Sequence, residues 1–228
     1  MTSASLQGKT VAFLVAQEGV EEVELREPWQ AVEDAGGTPR LLAPQSGEVQ
    51  AFNHLDKSST YPVDEPLDDA DPDSYAALVL PGGVANPDQL RTDERAIEFV
   101  RAIFSAGKPV GVICHGPWTL VEADVVRGRK LTSWPSLKTD IRNAGGEWVD
   151  EQLVVDEGLV SSRKPDDLPV FCTKIVEEFA EGRHQVAPHA GAAETRPGGG
   201  SASSSRSTSS RLDPRLGRSR SARRGSRR

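Results

Sequence analysis

The segment Val112-Ile113-Cys114-His115-Gly116-Pro117 holds the residues best suited to covalent chemistry. A short apolar run leads into the cysteine, and a glycine and a proline follow the histidine. That order predicts a sharp strand-to-helix turn, which presents a nucleophile at the carboxyl edge of a sheet. Open α/β sheets bind ligands along that edge. A helix opening just after Cys114 would favour its thiolate through the positive end of the helix dipole. Gly116 permits the tight backbone, and Pro117 suits an early helical position. A structural role stays open, because free cysteine is among the most buried residue types. The second cysteine, Cys172, lies beside Val170, Phe171 and Ile175 and reads as core filling.

The histidines narrow the choice of partner for Cys114. His184 and His189 fall in or near a basic tail, and His54 falls in a loop with no evident route to the turn. His115, the immediate neighbour, is left. An adjacent Cys–His pair needs help from the local backbone and a third group to orient the imidazole. The alternative for His115 is a solvated turn residue. Pro81-Gly82-Gly83 ends a second apolar run, and its amides could hold an oxyanion formed when a thiolate attacks a carbonyl. Glu21-Glu22-Val23-Glu24 opens a helical stretch. Acids there usually complement the helix dipole. One of them could instead face the crevice as a proton donor or acceptor, if burial raises its pKa. Spacing alone leaves the choice among them open.

These groups need an α/β framework with a mostly parallel sheet to bring them together, and the chain alternates strand and helix signals accordingly. Thr10–Ala16 is a continuous apolar run, as expected of a strand covered on both faces. Residues 21–35 read as a helix ended by Gly36-Gly37, and 39–43 as the next strand. Residues 44–74 are turn-rich and predict a hairpin excursion. A strand over 75–80, an amphipathic helix over 92–106 and a central strand over 108–113 follow. A helix from about Trp118 comes next, with short strands near 130–133, 147–149, 153–156 and 159–161. Residues 166–181 read as the last helix.

Composition sets the limits. Only 36% of the 228 residues are hydrophobic, low for a wholly folded chain, so part of the sequence should lie outside the core. The net charge of −7 joins two opposite parts. Residues 183–228 carry 11 arginines against two acids, a net of +9; residues 1–182 carry 16 basic against 32 acidic residues, a net of −16. We therefore expect a folded domain over 1–182 and a disordered basic Ser/Arg/Gly-rich tail over 183–228. The tail could touch nucleic acid electrostatically, but it has no aromatic residue for base stacking and reads more simply as an extension without a role. No apolar run is long enough to span a bilayer, and the N-terminus does not read as a secretory signal. Two cysteines are too few for a disulfide scaffold, and no CxxC or HxxxH spacing supports a zinc site. The expectation is a cytoplasmic protein with no metal and no membrane contact.

Several stretches occur in the order found in the ThiJ/PfpI superfamily, and the chain resembles its PfpI branch. They are Gly19–Leu25, Ala77–Gly83, Gly107–Val110, Ile113–Pro117, Val126–Ser133, Asn143–Asp150 and Ser161–Pro169. The resemblance covers about residues 8–181 and none of the tail. It implies a flavodoxin-like three-layer sandwich with Cys114 as nucleophile, Glu24 hydrogen-bonded to the thiol and His115 beside it. It implies an acid from a neighbouring subunit as third member of the triad, for which Asp88 is the candidate. Backbone amides of the Gly82-Gly83 turn and of His115 match the oxyanion site, and Trp134 is a pocket-lining candidate. The implied activity is a cysteine-dependent stress enzyme needing no cofactor, a deglycase or glutathione-independent glyoxalase acting on a small aldehyde or glycated substrate. A homodimer or higher homo-oligomer is also implied. The alternatives are an intracellular cysteine peptidase and a non-enzymatic redox sensor or holding chaperone. Glutamine hydrolysis of the amidotransferase type is disfavoured, since no histidine lies between His115 and His184.

Overall fold

Unbroken apolar strands need cover on both faces, and alternating strands with helices supplies it. The computed structural model describes residues 5–184; the expected tail from 185 onward, with His189, lies outside them. The order is β1 (Thr10–Leu14), β2 (Glu18–Glu21), α1 (Glu22–Asp34), β3 (Thr38–Ala43), β4 (Glu48–Asn53), β5 (Asp56–Pro62) and β6 (Glu65–Pro66). Then come β7 (Ala77–Leu80), α2 (Ala85–Leu90), α3 (Glu94–Ser105), β8 (Val110–Ile113) and α4 (Pro117–Glu122). The remainder is β9 (Lys130–Leu131), α5 (Lys138–Asn143), β10 (Glu147–Trp148), β11 (Leu153–Asp156), β12 (Leu159–Ser162) and α6 (Leu168–Glu181).

The main sheet has the order β11-β12-β8-β7-β1-β3-β6, and only the β11–β12 pair is antiparallel. Its five central strands, β3-β1-β7-β8-β12, follow the flavodoxin-like order. The winding reverses between β1 and β7, which opens a crevice at their carboxyl ends. The expected excursion is present as the β4–β5 hairpin, with β2 pairing along β4.

Strand β1 shows how the two faces are filled. Val11, Phe13 and Val15 join Leu25 and Val32 of α1 and Phe171, Ile175 and Phe179 of α6 in one cluster. Ala12 and Leu14 turn to the other face and join Leu78, Ile97, Val100 and Ile103. Both sets are almost completely buried. Each large aliphatic or aromatic side chain so buried contributes about 1.5–3 kcal/mol relative to exposure.

The expected strands and helices recur with their ends shifted by a few residues, and four elements were not foreseen: β2, β6, α2 and α5. Arg183 and His184, expected as the first tail residues, lie among the described residues. The His184 amide donates to the Gly107 carbonyl at 2.8 Å. No helix among the described residues is long and apolar enough to cross a membrane.

Candidate active site

Strand β8 ends at Ile113, and the chain turns at Cys114 with φ of 60°. That left-handed conformation is uncommon for a residue with a Cβ. It is held by the Cys114 amide donating to the Ser162 carbonyl at 3.1 Å and the Gly116 amide donating to the Ile113 carbonyl at 2.9 Å. Gly116 has no room for a side chain, since a Cβ there would lie 2.6 Å from the Leu80 carbonyl oxygen. Cys114 is 7% exposed, so it is largely withdrawn from solvent.

Glu24 projects from the first turn of α1 to the same point and is fully buried. The Gly82 amide donates to its Oε2 at 2.8 Å. Its Oε1 is buried with no hydrogen-bond partner among the described residues. Burial pushes the carboxyl up to about 8, partly offset by the Gly82 amide and by the Cys114 thiol beside it. Burial also pushes the Cys114 thiol well above its usual range, and the neighbouring Glu24 adds to this. The Gly83 and His115 amides act in the opposite direction by hydrogen bonding to the sulfur. The expected thiolate-favouring helix is only the six-residue α4, and desolvation outweighs it. The resting pair is therefore a thiol beside a protonated carboxyl.

His115 lies on the other side of the sulfur. Its Nδ1 is 3.2 Å from Cys114 Sγ, and its Nε2 is 3.4 Å from Ser136 Oγ. Burial pulls the imidazole down to about 4, so it is neutral at pH 7. Trp134 stacks on it with centroids 5.7 Å apart and planes 24° apart, and Trp118 packs at 5.5 Å. The Trp134 amide donates to the Cys114 carbonyl at 2.8 Å, which ties this loop to the turn. His115 is thus a buried ring, not a solvated turn residue.

The structure brings Cys114, His115, Glu24, Gly82, Gly83 and Trp134 together. Gly82 serves differently from the expected oxyanion donor: its amide is taken by Glu24, and its carbonyl accepts from Glu21 and Asn86. A Cβ at Gly82 would meet Glu24 Oε2 at 2.5 Å and Cys114 Cβ at 2.6 Å. Asp88 sits exposed on α2 and makes no hydrogen bond or ion pair among the described residues. Cys172 is half-buried against the α1–α6 cluster. Sequence reasoning missed Asn86. This fully buried side chain accepts from the Ala16 amide at 2.7 Å and donates to the Pro81 and Gly82 carbonyls at 3.0 Å each. It joins the ends of β1 and β7 at the crevice. Its only sequence signal was a polar residue following the glycine turn.

One further group of metal-type donors exists among the described residues: Glu178, Glu181 and His184, within 4.8 Å of one another. It lies at the amino edge of the sheet, away from Cys114. Glu178 is already ion-paired with Lys174 at 2.9 Å, which neutralises much of the charge a cation would need. Clefts of about 640 Å³ beside Ala16 and Gln89 and about 620 Å³ between α1 and the hairpin are not lined by Cys114.

Comparison with known proteins places this geometry in context. The DJ-1/PfpI family description matches residues 9–178. A deglycase of Pyrococcus horikoshii is 42% identical over 167 residues, covering 73% of this chain and 97% of the relative. Protein/nucleic acid deglycase 2 of Escherichia coli is 42% identical over 164 residues, covering 72% and 93%. The crystal structure of Drosophila melanogaster DJ-1beta matches with a TM-score of 0.69 and 28% identity, over 75% of this chain and 90% of that one.

Proposed function

Because the chain belongs to the DJ-1/PfpI family, we propose that it is a cysteine-dependent enzyme acting on reactive dicarbonyls or on their adducts with proteins and nucleotides. The names of its deglycase relatives support this reading. The observation that carries it is the buried Glu24 carboxyl against the Cys114 thiol, with the Gly83 and His115 amides aimed at the sulfur. The burial of Cys114 suits a small aldehyde better than a folded polypeptide.

The chemistry runs through these residues alone. The sulfur adds to the aldehyde carbon as its proton passes to a neighbouring base, and the carbonyl oxygen is protonated to give a hemithioacetal. The two amides stabilise negative charge on that oxygen as it develops. Glu24 has a pKa near the working pH and so can both take and return a proton, which general acid–base catalysis requires. As carboxylate it removes the C–H proton of the hemithioacetal, and as acid it returns one to the adjacent carbon. The product is a thioester of the 2-hydroxy acid, which water hydrolyses to restore the thiol. On a hemiaminal adduct the sulfur displaces the amine: the C–S bond forms as the C–N bond breaks, the amine leaves with a proton supplied by Glu24, and the same hemithioacetal then follows the same course.

We place the reaction in the cytoplasm, where the two unpaired cysteines stay reduced. We also propose a homodimer or larger assembly, in which the exposed Asp88 would face a neighbouring site. The test is lactate formation from methylglyoxal, with amine release from a glyoxal-treated amino acid in parallel. Wild type should turn over at least one of them, and Cys114→Ala neither. Equal rates in the two proteins would remove the thiol from the mechanism. Turnover confined to peptide amides would select a peptidase instead.

A further inference from the structure

Two consecutive peptide units carry the backbone donors that meet Glu24 and Cys114. A trans peptide is planar, and its C=O and N–H point in opposite directions. The Pro81 carbonyl shares its unit with the Gly82 N–H, which donates to Glu24 Oε2 at 2.8 Å. The Gly82 carbonyl shares the next unit with the Gly83 N–H, which faces the Cys114 sulfur. Whatever fixes these two carbonyls therefore fixes where both N–H groups point.

One side chain grips both. Asn86, on α2, is fully buried. Its Nδ2 donates to the Pro81 and Gly82 carbonyls at 3.0 Å each, which uses both of its hydrogens. Its Oδ1 accepts from the Ala16 amide at 2.7 Å, just beyond the end of β1. A donor on one side and two acceptors on the other admit only this orientation of the carboxamide. The Gly82 carbonyl receives one further bond, a longer one of 3.4 Å from the Glu21 amide. The grip matters because glycines at 82 and 83 bring no Cβ to oppose rotation of the peptide between them. Gly83 already stands at φ of 81°. Turned over, that unit would aim a carbonyl oxygen at the sulfur in place of an N–H, and would repel a thiolate or a developing oxyanion.

We propose that Asn86 is a positioning residue: by holding the Pro81 and Gly82 carbonyls it aims the Gly82 N–H at Glu24 and the Gly83 N–H at Cys114, and it ties both to the end of β1. It makes no hydrogen bond to the carboxyl or to the sulfur and acts through the two peptide units alone. Both N–H groups favour the ionised forms of the groups they meet. Without Asn86 the carboxyl and the thiol are both harder to ionise.

The inference deepens the proposed enzyme reading, and its test uses no substrate. The full chain with Cys172→Ala is compared with the same chain carrying Asn86→Ala. Asn86→Ser, which leaves room for a water at the freed carbonyls, takes its place should the alanine variant not fold. Three quantities are followed: alkylation of Cys114 by iodoacetamide at pH 8, titration of the Glu24 carboxyl by 13C NMR, and hydrogen exchange at the Gly82 and Gly83 amides. Alkylation should slow by about 3- to 10-fold, the scale of one hydrogen bond. The Glu24 midpoint should rise above about 8, and both amides should lose protection. A merely structural Asn86 predicts the reverse, since a loosened crevice exposes the thiol and the carboxyl. Faster alkylation with a lowered Glu24 midpoint overturns the proposal, and so does unchanged alkylation with unchanged amide protection. Absence of dicarbonyl turnover would defeat the enzyme reading and leave these three readouts intact.

Discussion

Two glutamates on the first turn of α1 have opposite fates. Glu22 faces the β4–β5 hairpin, where Ser58 and Tyr61 donate hydroxyl bonds to it, the latter at 2.6 Å. Those bonds hold its carboxyl down to about 2, so it is charged throughout the physiological range. Glu24 turns inward to the sheet, receives one amide bond, and is pushed up to about 8. The same residue type, two positions apart, is a fixed anchor on one face and a movable proton on the other. Hydroxyl donors and solvent separate the first case from the second.

The widest gap between the two should appear in turnover. Glu24→Gln should lower kcat by about 10²- to 10⁴-fold, the usual worth of a positioned acid–base group, while Glu22→Gln leaves it unchanged. Equal losses in steady-state assays would erase the contrast. Urea unfolding against pH tests its sign. A carboxyl raised in the fold keeps its proton after the unfolded chain has lost it, so Glu24 subtracts stability as pH rises from about 5 to about 8. The slope for one such group is about 1.4 kcal/mol per pH unit. Glu24→Gln should flatten that segment. Glu22 acts in the other direction: its contribution is full above about 4.5 and fades as pH falls towards 2.

Crowding the inner face is a smaller perturbation. Gly82→Ala places a Cβ against Glu24 and Cys114 and should cost about 1–3 kcal/mol in unfolding free energy, with loss of alkylation at Cys114. The smallest effect belongs to the outer face. Tyr61→Phe removes one hydroxyl from Glu22 and should cost under about 1 kcal/mol, since the group is partly solvated.

The turn at Cys114 was legible in the sequence because an apolar strand, a cysteine and a Gly-Pro pair follow one another in line. The sheet was legible for the same reason, strand by strand. Glu24 was not singled out by spacing. Choosing among three acids needs the rotation of α1, and the resemblance supplied what periodicity did not. Strand β2 was hidden because Glu18-Gly19-Val20-Glu21 lacks the strand composition and pairs only with a distant hairpin. Helices α2 and α5 have six residues each, too short for a period to show. Asn86 acts through a contact between segments far apart in the chain, which no local pattern encodes.

The backbone at Cys114 carries a further implication. A left-handed β-carbon-bearing residue is a standing deficit of roughly 1–3 kcal/mol, sustained by the carbonyls and glycines packed around it. A lineage released from selection on this chemistry would therefore be free to relax this corner, with glycine or asparagine as the natural replacements. Relief of that strain would come at the cost of the sulfur.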